Sequence, residues 1–68
     1  MKENPLLNSR QFRYIITFLK NNGMRVSAMW LVNVMSGIGI RDSREYVMGC
    51  NVVSVNGELC EDKNESNG

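Results

Sequence analysis

The spacing of apolar residues changes once along this chain, and that change limits the folds open to it. As far as Met48, large apolar side chains recur every three to four positions, the period of a helix with one buried face. From Val52 they recur every second position, the period of a strand, and Asn56-Gly57 interrupts the run with two residues that tolerate positive φ. A chain of 68 residues has room for one small domain. The expected fold is therefore α+β, with three short helices followed by a β-hairpin.

The first helix is the clearest element. Phe12, Ile15, Ile16 and Leu19 follow the i, i+3, i+4, i+7 spacing, so Arg10, Arg13, Thr17 and Lys20 are expected to look outward. With Asn8 as N-cap, Gln11 stands where a capping box needs it, and Leu7 and Phe12 form the two ends of a hydrophobic staple. Asn22-Gly23 closes the helix, which places it at residues 9–21. Ser27 is the expected cap of a second helix at residues 28–36, whose stripe is Ala28, Leu31, Val32 and Met35. Trp30 and Val34 lie off that stripe, so this helix is apolar nearly all round. Gly37-Ile38-Gly39-Ile40 breaks it, with the isoleucines plugging the core from a turn. A third helix fits residues 42–48, capped by Asp42, boxed by Glu45 and closed by Gly49.

In the hairpin a two-residue turn sets Val55 opposite Glu58 and Val53 opposite Cys60. Val53, Val55 and Cys60 are expected to face inward, with Val52 and Leu59 on the other side. Residues 1–7 read as a loose arm, 8–61 as the single domain and 62–68 as a disordered acidic tail.

Histidine is absent, and no glycine-rich phosphate loop occurs. No catalytic residue, metal site or cofactor is expected, because no pair sets a base beside a nucleophile and two cysteines make half a zinc site. No signal peptide is expected, because Glu3, Asn4 and Pro5 follow Lys2 and Arg10, Gln11 and Arg13 interrupt the apolar positions, and the uncharged stretch 26–40 would span about 22 Å as a helix, short of the roughly 30 Å hydrocarbon core. A cytoplasmic protein without a membrane partner is the expectation. In that compartment Cys50 and Cys60 read as reduced thiols in or near the core, a disulfide being the rival. The net charge is only +1, yet it is unevenly spread. Between Arg10 and Arg44 the six basic residues Arg10, Arg13, Lys20, Arg25, Arg41 and Arg44 face a single acid, Asp42. From Glu45 onward, Lys63 stands alone against Glu45, Glu58, Glu61, Asp62 and Glu65.

Three helices with a tight turn before a short third one, then a hairpin, make residues 9–61 resemble the compact winged helix-turn-helix modules common in phage and prophage regulators. The resemblance implies a small DNA-binding protein of transcription regulation, whose third helix enters the major groove of double-stranded DNA while the hairpin wing lies against the backbone. It implies Arg41, Ser43 and Arg44 as groove-facing residues, since the first residues of such a helix meet base edges. Arginine can bond guanine O6 and N7 together, and serine can donate or accept at several bases. Arg25, Arg10, Arg13 and Lys20 are the implied phosphate contacts, and Asn56 and Gly57 the wing tip. Glu58 beside that tip keeps its contribution small, and Asp42 and Glu45 favour the helix start while repelling phosphate. One such module buries about 600 to 1,000 Å², so tight binding calls for a dimer or an accessory protein. The alternative is a protein-binding module, an inhibitor or adaptor, docking through Trp30, Met29 and the hairpin edge, which could also pair two copies.

Overall fold

In the computed structural model, which describes residues 4–61, the chain runs α1 (Pro5–Asn8), α2 (Arg10–Asn21), α3 (Arg25–Ser36), α4 (Ile40–Gly49), β1 (Val52–Val55) and β2 (Glu58–Glu61). The class is α+β, with one helix more than expected. That extra element is a single turn in what reads as a loose arm. The Asn4 side chain accepts the Leu6 N–H at 2.9 Å, and Pro5 supplies a preset φ at the first helical position. Leu6 and Leu7 pack against the core, Asn4 Nδ2 donates to the Ser36 carbonyl, and the Tyr46 hydroxyl donates to the Leu7 carbonyl at 2.7 Å. The expected acidic tail at 62–68 lies outside the described residues.

Because Asn8 is the last residue of α1, the cap of α2 moves to Ser9, whose extended backbone turns its hydroxyl onto the Phe12 N–H. The far end of α2 closes with Gly23 at φ 77°, the Met24 N–H on the Leu19 carbonyl and the Gly23 N–H on the Lys20 carbonyl. This closure hands the chain directly to α3. Met24, with no side-chain cap, precedes a helix that begins at Arg25, so Ser27 lies inside the first turn rather than capping it. Gly37, at φ 82°, ends α3. The three-residue turn is then tied by Asn33 Nδ2 donating to the Ile38 carbonyl at 2.7 Å and by Ser36 Oγ accepting the Ile38 N–H. Ile38 plugs the core as expected, whereas Ile40 stays exposed as the first residue of α4. Gly39 occupies the cap position, so Asp42 and Glu45 sit one and two turns into the helix, and Asp42 acts through the dipole alone.

Phe12, Ile16, Ala28, Val32, Val47 and Cys50 form the core, where the Phe12 and Tyr46 rings lie 6.1 Å apart. The hairpin has the expected register, with Val55 opposite Glu58 and Val53 opposite Cys60, and Asn56 and Gly57 both take positive φ. Its faces are the reverse of the expectation. Val52 is buried and Leu59 partly so, while Val55 and Cys60 are exposed. The cause lies on α2, where Thr17 is buried rather than outward. Its Oγ1 donates to the Arg13 carbonyl and accepts the Val52 N–H at 3.0 Å, which pins Val52 onto the helix. Replacing Thr17 with Val keeps the shape and removes that acceptor, leaving a buried N–H unpaired. Urea unfolding should show a loss of about 1 to 3 kcal/mol, and Thr17→Ser should recover most of it.

Burial also raises the pKa of two core groups, Cys50 above its ordinary 9.0 and Tyr46 above its ordinary 10.0. Both are neutral when protonated, so the folded chain holds these protons longer than the unfolded chain does. Their contribution is complete below pH 9.0 and is lost as pH rises beyond the unfolded values. The urea midpoint should therefore fall above pH 9.0, and Cys50→Ala and Tyr46→Phe should each flatten part of that fall.

Candidate functional site

The six cations between Arg10 and Arg44 separate into two sets. Arg10, Arg13 and Lys20 stand with Thr17 along one side of α2 and fasten the hairpin. Arg10 Nη1 donates to the Leu59 carbonyl at 3.1 Å, and Arg13 forms an ion pair with Glu61. Lys20 Nζ donates to the Cys50 carbonyl at 2.6 Å, with Met48 O and Asn51 Oδ1 also in reach. An ammonium there satisfies carbonyls that the end of α4 leaves open and meets the negative end of its dipole. These three residues are engaged within the molecule, which argues against their expected role as phosphate contacts.

Arg25, Arg41 and Arg44 form the second set. Arg25 opens α3, and Arg41 and Arg44 lie in the first half of α4; the turn at 37–39 joins the end of α3 to the start of α4, and the packing of α4 back against α3 sets all three arginines along one face. Together with Val26, Met29, Ile40, Val47 and Met48 they line an open depression of about 810 Å³. All three arginines are exposed, and none is in an ion pair among the described residues. The result is a concave apolar floor rimmed by three free guanidinium groups, beside the positive end of a helix dipole.

Ser43 is not part of this face. It is fully buried, and its hydroxyl donates back to the Gly39 carbonyl at 2.8 Å, so it cannot meet a base edge. Its i+4 neighbour Val47, also buried, marks the inner side of α4. The outer side instead carries Glu45 and Met48, both exposed, which the expected set lacked. Their spacing from Arg41, four and seven residues, was the available signal. Asn56 and Gly57 are exposed at the tip of the hairpin, away from the residues that line the depression.

A second exposed surface runs along α3. Val26, Trp30 and Val34 are one helical turn apart and 51 to 73% exposed, so Trp30 is not a core residue. Met29, expected beside it, is partly buried against the core and lines the depression instead. The Leu59 carbonyl on the expected docking edge of the hairpin is occupied by Arg10. The cysteines are both free thiols, Cys50 buried and Cys60 exposed. Among the described residues no helix is long and apolar enough to cross a membrane.

No protein-family model matches the chain, and no curated protein or solved structure matches it either.

Proposed function

We propose that this protein binds double-stranded DNA as a small regulator of the winged helix-turn-helix kind, with α4 in the major groove and the start of α3 on the phosphate backbone. One observation carries the reading. Arg25, Arg41 and Arg44 line a single face formed by two helices packed on each other, with no carboxylate partner among the described residues. Six basic residues in sequence would not support it, because three of them are spent inside the fold. The remaining three are placed where an anionic rod can meet all of them.

Fluorescence anisotropy of a labelled mixed-sequence duplex tests this. Two to three neutralised phosphates release their counterions, so affinity should fall about 10- to 40-fold between roughly 50 and 200 mM salt. Absence of binding at the lower salt overturns the reading.

One observation favours a second reading, the docking of a protein partner. The Val26, Trp30 and Val34 stripe is apolar, exposed and continuous along α3. That reading predicts that loss of Arg41 and Arg44 leaves partner binding intact, while Trp30→Ala removes it.

A further inference from the structure

On the DNA-binding reading, α4 should carry its own sequence preference, and the geometry identifies which side chains express it. Successive residues of a helix are about 100° apart, so the buried pair Ser43 and Val47 defines the inward direction of α4. The opposite direction falls at Glu45, with Arg41 about 40° and Met48 about 60° to the side that faces α3. Arg44 lies further round on that side, deeper in the depression that it lines with Arg25, Arg41 and Met48. Asp42 lies about 100° from Arg41, on the far flank.

We infer that Arg41, Glu45 and Met48 form the base-reading line of α4, and that Glu45 is a specificity residue for cytosine. A carboxylate at the outermost point of a groove-entering helix finds donors on the major-groove edges in two amino groups, cytosine N4 and adenine N6, and it favours cytosine because adenine sets the N7 acceptor beside its amino group. It meets guanine O6 and N7 and thymine O4 as like-charged acceptors. Glu45 therefore selects as much by repulsion as by attraction. Its carboxylate is exposed and in no ion pair among the described residues, so it is free to act on DNA rather than on Arg41 or Arg44. Arg41 takes guanine through O6 and N7, and Met48 offers an apolar end to a thymine methyl. At about 1.5 Å per residue Glu45 lies about 6 Å along the axis from Arg41, and Met48 about 10 Å. Those distances correspond to steps of about two and three base pairs at about 3.4 Å each. The preferred site contains a guanine and a cytosine about two base pairs apart, with Arg44 and Arg25 on the flanking phosphates.

Selection from a duplex pool with a randomised core, using the full chain and Glu45→Gln, tests the assignment. Enrichment of a guanine and a cytosine at that spacing by the natural chain is the expected result. In Glu45→Gln the cytosine should give way to adenine, which a carboxamide bonds at N6 and N7, with roughly a tenfold change in the preference at that position. Glu45 is exposed, so the variant should fold, and circular dichroism confirms it. If both proteins enrich the same site, the role of Glu45 is overturned while DNA binding stands. If the natural chain binds duplex without enriching any sequence, the reading line as a whole is overturned. If it binds no duplex at all, the proposal falls with the function it rests on.

Discussion

The double substitution Arg41→Ala, Arg44→Ala is expected to weaken binding to a mixed-sequence duplex roughly 100-fold at low salt, two charge-assisted contacts being lost at about 1.5 kcal/mol each. The slope of affinity against salt should become shallower at the same time. Both side chains are exposed, so thermal unfolding should be nearly unchanged, and the loss is one of binding alone. The control is on α2. Lys20→Met removes one charge where the double substitution removes two, and that charge is held by the Cys50 carbonyl at 2.6 Å. It should lower stability by about 1 to 3 kcal/mol and change duplex affinity far less than half as much. Anisotropy and urea unfolding on the two variants separate a contact surface from an internal strut. Equal losses of affinity per charge removed would mean that bulk charge, rather than the face formed by α3 and α4, governs binding.

The second large effect concerns the hairpin. Val52→Asp is expected to unfold the domain, because Val52 is 1% exposed and its backbone is held by Thr17. A carboxylate there must be desolvated, and the cations on that side of α2 are already engaged, Arg13 with Glu61 and Lys20 with the Cys50 carbonyl. A chain of this length holds roughly 3 to 10 kcal/mol of stability, less than the cost of burying such a charge plus the lost packing. Val55→Asp makes the same chemical change on the exposed face and should cost only about 1 kcal/mol, mostly through the carboxylate of Glu58 opposite. Circular dichroism during urea titration reads both. The opposite ranking would restore the face assignment that alternation alone suggests.

That assignment shows where sequence reasoning reached its limit. Val52-Val53-Ser54-Val55 has apolar residues on both faces of the ribbon, so period two fixes the pairing and leaves the inward face undecided. Asn56-Gly57 decided the register because its positive φ angles admit one pairing. The face was decided from outside the hairpin, by a threonine 35 residues earlier. The same helix hid another device. Arg10, Arg13, Thr17 and Lys20 share one side of α2, a spacing that reads as a solvated stripe until a hairpin lies against it. Helix starts moved for a related reason, since caps compete along the chain. Asn4-Pro5 forms α1 and takes Asn8 out of the cap position, and the closure at Gly23 starts α3 before Ser27 is reached. Asn4 followed by Pro5 was a legible cap signal.

Of the candidate site, Arg41 and Arg44 were legible because the turn at 37–39 delivers the first residues of the next helix to the surface, and Arg25 because the closure at Gly23 does the same for α3. Ser43 was misplaced because a small polar residue near a helix start reads as exposed, although its spacing of four from Val47 puts both on one side: a helix that buries Val47 buries Ser43 and turns Glu45 outward.

The most direct test of the central claim is an amide proton and nitrogen spectrum of the labelled protein, titrated with a short duplex. Binding through the proposed face predicts shifts concentrated at Arg25, at Gly37 to Gly39 and along the first half of α4, with the Trp30 indole and the α2 residues Ile15 and Phe18 unmoved. Shifts centred on Trp30 and Val34, or none at a concentration where duplex is in excess, would contradict it.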